Sequence, residues 1–463
     1  MFHLLLIHKA MPTSTPVVAI PVVDTSYSMT SSNYVAITVI DTKAFLNNAL
    51  PGDYIGVASY DTNGRVTYNL TQVDQNLTVP VTAAAAVQNL SFTGSCTNMG
   101  GGLQTAVNML SSAPAGVNKG LVLLSDGYQN CGTNPLPLPA GTPPVYSCAM
   151  GPASDQNLMQ QIATQSGGQY YYAPYVFNMM QIYNQIRAQT PAAQLLANGY
   201  KVAQAYDYLL IPATVSAGND LGQFSVVWSD PNYTFTNGQP GLNQLSVTLV
   251  TPAGVVITPM PTLQGGAYVV FNIPNPAVGL WYIQIMYGGT TPQGLTGGAF
   301  EYAPSGNAAP LQLTVDAPSV VRKGQPITYH AHLTDDGKPI TGQQIRALVT
   351  RPKLSQHSAI KAYASDLKNI KLPEETMDTI QHPDLAKLDL LYRQRLTEED
   401  LLPHIKGGSI LSAAKQGGYA GTIHETHEAG SYTVELEVTG FSDKSKTPFS
   451  RSRRFNVVVT DGD

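Results

Sequence analysis

Charge is what this sequence has least of. Asp, Glu, Lys and Arg make up 12% of its 463 residues, about half of the roughly 25% usual in soluble domains. The net charge is −5, and without a dense basic face to meet phosphates, no nucleic acid partner is expected. Cysteine is scarce as well. Three residues, Cys96, Cys131 and Cys148, allow at most one disulfide within the chain. No apolar run approaches the roughly 18–20 residues of a membrane span. The apolar stretch Phe2 to Ile7 is short and interrupted by His3, with His8 following, so no export signal is expected at the start. The nine histidines fall at no spacing typical of zinc. What replaces charge is Gly, Pro, Tyr, Asn, Thr and Gln. A 43% hydrophobic content with an amide- and hydroxyl-rich surface suits strand-rich proteins of the cell surface or extracellular space. In such a chain the sequons at Asn69, Asn76, Asn89 and Asn232 carry little weight.

The length implies two to four domains, at roughly 100–200 residues each. After an N-terminal extension, 1–16, strand and helix patterns alternate through a first domain, 17–192. Val17 to Val23 is apolar apart from Pro21, as a strand buried on both faces should be. A helix with Val35, Val39, Leu46 and Leu50 on one face follows, then a hairpin around Asp61 to Gly64. Gly120 to Ser125, Pro144 to Met150 and Gly168 to Tyr172 read as further strands. Gly100 to Leu110, Asp155 to Gln165 and Tyr175 to Ala188 read as helices. This alternation predicts a doubly wound α/β sheet of Rossmann-like type.

Near Leu209 the period changes from helical to alternating. Gln244 to Val250, Ala267 to Phe271 and Trp281 to Tyr287 predict an all-β sandwich over 205–303. A second strand-rich sandwich is expected over 311–463. Its clearest strands are Ile327 to Leu333, Gln344 to Thr350, Ser431 to Thr439 and Arg454 to Thr460. Charged residues and leucines cluster between 352 and 416, which predicts a partly helical insertion, with Thr397 before Glu398-Glu399-Asp400 as a helix start.

Three short segments carry the chemistry. Asp24-Thr25-Ser26-Tyr27-Ser28 follows the first buried strand, Thr97-Asn98 opens a Gly-rich helix, and Ser125-Asp126-Gly127 ends another strand. In an open α/β sheet, ligands sit beyond the carboxyl ends of the strands. Asp24, Ser26, Ser28, Thr97 and Asp126 would therefore bring hydroxyl and carboxylate oxygens to one spot. Oxygen donors of this kind suit a hard cation, Mg²⁺ or else Ca²⁺ or Mn²⁺. A coordination position left open could take a carboxylate from a partner's Asp or Glu. Tyr27, Asn98 and Tyr128 are candidate ligand contacts beside it. Cys96 precedes Thr97 and Cys131 follows Asp126, which favours that pairing; three reduced thiols are the alternative.

These segments resemble the metal-ion-dependent adhesion site (MIDAS) of von Willebrand factor A domains, which reads Asp-x-Ser-x-Ser, then Thr, then Asp. The resemblance implies a metal held by Asp24, Ser26, Ser28, Thr97 and Asp126, and metal-dependent adhesion to a protein ligand. Tyr27 departs from the family's usual Gly. Leu121 to Asn130 and Cys148 to Gly168 resemble the matching stretches of calcium-activated chloride channel regulator-type proteins, whose A domain precedes a β-sandwich and an immunoglobulin- or fibronectin-like domain; the resemblance implies that type for 311–463. That family's protease motif, His-Glu-x-x-His, is not found; His424-Glu425-Thr426-His427 has the wrong spacing. No nucleophile accompanies the metal motif, so the chain is not expected to be an enzyme. A hydrolytic or self-cleaving surface protein, and an assembly subunit partnering an ATPase, are the competing readings. Tyr170-Tyr171-Tyr172 is read as strand rather than a carbohydrate platform.

Overall fold

The computed structural model describes residues 15–173, 178–188, 192–258, 261–290, 293–304, 306–372, 383–395, 404–414 and 418–461. Most of the expected N-terminal extension and the helix start at Thr397 lie outside these residues.

The first domain is built on a six-stranded sheet in the order β3-β2-β1-β4-β5-β6. The strands are β1 (Val17–Asp24), β2 (Tyr54–Tyr60), β3 (Gly64–Gln72), β4 (Asn118–Ser125), β5 (Val145–Met150) and β6 (Tyr170–Ala173). β3 runs antiparallel to β2 and closes one edge; the other pairings are parallel. Parallel strands need crossovers, which the helices supply. These are α1 (Tyr27–Ser31), α2 (Val35–Asn47), α3 (Thr78–Gln88), α4 (Met99–Met109), α5 (Gln156–Ser166) and α6 (Asn178–Arg187). Every residue of β1 is buried, because both faces of the sheet are covered. Ala19 and Val23 pack with Phe45 of α2 and Ile182 of α6. Val18, Ile20 and Val22 pack with Leu103 of α4 and Ile162 of α5. Each such Val, Leu, Ile or Phe side chain stabilises the fold by about 1.5–3 kcal/mol. Tyr170 and Tyr171 are buried in the same sheet.

α2 departs from the one-sided face predicted for it. Thr38, Asp41, Thr42 and Asn47 are buried along with Val39 and Leu46. Two neighbours are the cause: Thr38 lies against Met150 of β5, and the second domain covers the end of the helix, where the Asn47 side-chain amide donates to the Tyr268 hydroxyl. α3 has no counterpart in the sequence reading, since its Ala83 to Ala86 run lacks an amphipathic signature.

Two sandwiches follow. In the first, one sheet has the order Thr234–Thr236, Gln244–Val250, Gly279–Tyr287, Tyr208–Val215. The other contains Tyr268–Pro274, Leu221–Trp228, Gln293–Tyr302 and Ala193–Ala203. Ala193–Ala203 lies outside the expected boundaries of both domains. It pairs with Gln293–Tyr302 along its length, so it is a sandwich strand rather than a linker. Between the sheets, Phe224 meets Trp281 at a ring separation of 5.4 Å.

The last sandwich packs Leu313, Tyr329, Tyr432, Val434 and Val457 into its core. The expected insertion is helical at Gln356–Ala362, Ala364–Asn369 and Pro383–Arg395. It ends sooner than the expected 416, because His404–Ile410 pairs with Arg346–Pro352 as a strand. The Gly407-Gly408 pair concealed that strand from a propensity reading.

The three units are not strung in series. The final strand, Thr447–Thr460, touches both others. Ser450 Oγ accepts from Thr214 N (2.8 Å) and donates to Leu196 O (3.1 Å). Asn456 Nδ2 donates to Tyr170 O (2.8 Å). The Arg451 guanidinium, fully buried, donates to Glu301 Oε1 at 2.5 Å and Ser216 Oγ at 3.1 Å.

Candidate metal centre

The strand order reverses direction between β1 and β4, and such switch points are where open α/β sheets bind ligands. Asp24 is the last residue of β1, and Asp126 comes just after β4 ends at Ser125. Val23 pairs with Leu124, so the two carboxylates emerge side by side at the carboxyl edge of the sheet.

Beyond Asp24 the chain turns tightly. The Ser26 N–H donates to Asp24 Oδ1 (2.9 Å), and Tyr27 N donates to Gly94 O (2.8 Å). Position 94 requires glycine: a Cβ there would sit 2.1 Å from Asp61 Cβ. The Ser28 hydroxyl donates to Asp126 Oδ1 (2.7 Å). Its single proton being so used, it accepts from Ser26 Oγ at 2.8 Å. Ser125 Oγ donates to Asp24 Oδ2 (2.6 Å). Thr97 belongs to the same group. The point where a Cβ on Gly127 would lie is 3.6 Å from Ser28 Oγ and 3.7 Å from Thr97 Oγ1. All five predicted residues thus meet at one place.

The loop carrying Thr97 is held by the favoured Cys96–Cys131 pairing and by two amide side chains that the sequence reading passed over. Asn130 Oδ1 accepts from Thr97 N (2.7 Å), and Asn130 N donates back to Thr97 O (3.2 Å). Gln129 Oε1 accepts from Met99 N (2.6 Å). A disulfide, Cys96–Cys131, closes this ladder at its end; Cys148 is a free thiol buried in β5. Ser125 was also missed, although its place beside Asp126 was a usable signal. The amides at 129 and 130 gave none, because such side chains declare a role only through the fold.

The three candidate contact residues differ. Tyr27 is 61% exposed and stands at the start of α1 beside the oxygens. Tyr128 is half-buried. Asn98 is buried, and the structure gives it another task. Its Oδ1 caps α4 at Gly101 N (2.9 Å) and accepts from Thr133 N (3.1 Å), while Nδ2 donates to Thr62 O (3.0 Å). On the rim, Arg65 binds Asp61 through both nitrogens (2.7 and 2.6 Å) and donates to Thr25 Oγ1 (3.1 Å).

Burial pushes the Asp24 carboxyl up to about 6, against the hydrogen bonds from Ser125 and Ser26 that favour its ionised form. A fully buried carboxylate beside a second one is costly without a positive charge. The donor set, two carboxylates and three hydroxyls, fits a hard divalent cation. Among the described residues no group of three or more His, Cys, Asp and Glu gathers elsewhere or here, so hydroxyls are integral to the set.

A switch-point crevice lined by carboxylate and hydroxyl oxygens defines an α/β module suited to a divalent cation. Residues 20–185 match the family model described as von Willebrand factor type A domain; the first domain of this chain is such a domain, followed by β-rich domains outside that match. No curated protein matches the chain. Solved structures match at low identity. A von Willebrand factor type A protein from Catenulispora acidiphila is 16% identical with a TM-score of 0.34, the match covering 70% of this chain and 64% of that one. Proximal thread matrix protein 1 from the mussel byssus, with a zinc-occupied MIDAS motif, is 16% identical with a TM-score of 0.33, covering 42% and 52%. The ArnB paralog VWA2 from Sulfolobus acidocaldarius is 13% identical with a TM-score of 0.30, covering 70% and 63%. The chain thus spans less than two thirds of the length of each of these proteins. All three TM-scores lie below 0.5, and the likeness goes no further. Nor do the comparisons extend the resemblance to chloride channel regulator-type proteins.

Proposed function

We propose that this chain binds a protein partner through one divalent cation held by Asp24, Ser26, Ser28, Thr97 and Asp126. The observation that carries the reading is the convergence of these five oxygen-bearing side chains at the switch point, beside an exposed tyrosine. A bound Mg²⁺, Ca²⁺ or Mn²⁺ would supply a Lewis-acidic position able to accept a carboxylate oxygen. The partner would offer an Asp or Glu side chain. Asp24 and Asp126 balance the ion's charge, and the three hydroxyls add neutral oxygens, leaving the ion electrophilic toward an anionic group. Ser125 and the Ser26 N–H orient Asp24. The Cys96–Cys131 disulfide and Asn130 keep Thr97 within reach of Asp126. Tyr27, where the family has Gly, gives the partner a ring to pack against.

In this reading the chain turns over no substrate. It acts at a cell surface or outside the cell, where a disulfide in the metal loops persists. Among the described residues no helix is long and apolar enough to cross a membrane. The test is capture of a partner from surface extract with Mg²⁺ or with EDTA, using wild type and Asp24→Ala. Capture by wild type in Mg²⁺, lost in EDTA and lost in Asp24→Ala, supports the reading, whereas capture unchanged by EDTA and by the substitution refutes it. Hydrolysis of a peptide or glycan, abolished by Asp126→Ala, would instead favour an enzyme.

A further inference from the structure

At the opposite end of the sheet from the metal loops, a cavity of about 630 Å³ lies between the first domain and the last sandwich. That volume is in the range of small-molecule sites, roughly 300–1,000 Å³. Lys119, at the start of β4, lines it from one side. Arg453 and Arg454, in the final strand, line it from the other. No Asp or Glu belongs to its described lining. Pro143, Pro144 and Phe455 give it apolar walls.

Arg453 is the informative residue. A guanidinium stays charged at every working pH and offers five N–H donors. Its acceptor among the described residues is Ala188 O, at 2.8 Å. That carbonyl follows the last turn of α6, whose end supplies about half a negative charge. The other groups acting on Arg453 are the phenols of Tyr146 and Tyr171, while burial works against its charge. Phenols are neutral near pH 7. Arg454 differs, because Glu435 feels its charge and the Tyr171 ring lies 6.0 Å from it. The cavity therefore holds a partly buried cation without a carboxylate, faced across the domain boundary by a lysine. Burial of Arg453 makes that imbalance costly and makes an incoming anion correspondingly favourable.

We propose that this cavity is a binding site for a small organic anion. Its carboxylate or phosphate head would lie between Lys119 and Arg453, and its apolar body against Pro143, Pro144 and Phe455. Arg453 would present its planar fork to two oxygens, and Lys119 a point charge. The ligand would bridge the A domain and the last sandwich, so that binding tightens the contact between them. This site is independent of the metal and of the partner reading above.

The test uses the full chain with phenyl phosphate and benzoate as probes. Calorimetry and thermal melting are run in EDTA at constant ionic strength, with benzyl alcohol as the neutral control. EDTA keeps the probes from reporting on the metal centre. The expected result is saturable binding of at least one anion, none of benzyl alcohol, and a rise in melting temperature. Lys119→Gln and Arg453→Gln should each weaken binding by about tenfold or more, and Lys119→Arg should retain it. If Arg453→Gln does not fold, Lys119→Gln and Lys119→Arg decide. Absence of saturable binding at millimolar probe overturns the proposal, as does binding that neither glutamine variant weakens.

Discussion

Asp24 shows how one residue joins fold and chemistry. It ends a strand buried on both faces, so its carboxyl enters a site with little water, and its pKa rises to about 6. Cation binding needs the ionised form. Affinity for Mg²⁺ is therefore expected to fall as pH drops through about 6, with protons released on binding; calorimetry in buffers of different ionisation enthalpy measures both. Without metal the sign for folding is opposite. A carboxyl whose folded pKa lies above its ordinary 3.8 favours the folded state fully below 3.8 and loses that advantage as pH rises through about 6. Tyr27 makes a separate prediction. Tyr27→Gly should leave Mg²⁺ affinity within about twofold, because its exposed ring holds no ligand in place, and should weaken partner capture. A large loss of Mg²⁺ binding would instead mean that the ring shapes the metal loop. The five oxygen residues were legible because the motif's chemistry and the strand order agree. Asn130 was not, since its role depends on a distance between segments far apart in sequence, whereas Ser125 had a signal in its place beside Asp126.

At the level of elements, the loops around the metal depend on supports that lie beside them. Cys96–Cys131 ties the loop of Thr97 to the loop after Asp126. Replacing both cysteines by serine should destabilise the chain by about 2–4 kcal/mol and lower cation affinity more than any distant change of equal stability cost; urea unfolding and metal titration test the two parts. α3 offers a second case. Asp74 accepts from Thr78 Oγ1 (2.6 Å), Thr78 N (3.2 Å), Val79 N (3.0 Å) and Asn76 N (2.8 Å). Burial raises its pKa, but these bonds outweigh that and hold it at about 2. The stabilisation is present above 3.8 and disappears as pH falls toward 2. Asp74→Ala should thus cost about 1 kcal/mol at neutral pH and almost nothing near pH 2, read from denaturant melts. Helix α3 was illegible because alanines gave no face, and Ala193–Ala203 because it adjoins a domain boundary. The strands β1 and β4 were legible because burial on both faces leaves an apolar run that few other structures produce.

Across the whole molecule, the domains act as one packed body in which the final strand is the common element. Its Arg451 enters the first sandwich at Glu301 and Ser216, while Asn456 reaches the A domain at Tyr170. The alternating pattern of this strand announced a sandwich, but an interface built from one arginine, a few hydroxyls and amides leaves no periodic trace. Arg451→Met should strand Glu301 in the interior and cost about 3–5 kcal/mol; changing Glu301 to Leu as well should recover part of the loss, as a double-mutant cycle would show. The metal centre lies at the carboxyl edge of the sheet, away from that strand, so Arg451→Met should leave cation affinity nearly unchanged in the folded protein. The measurement that bears most directly on the metal centre is a Mg²⁺ titration of the full chain by calorimetry, wild type against Asp126→Ala. One saturable ion per chain, lost in the variant while its circular dichroism is unchanged, is the expected result. No saturable binding by the wild type, or equal binding by a folded Asp126→Ala, would contradict a cation held by Asp24, Ser26, Ser28, Thr97 and Asp126.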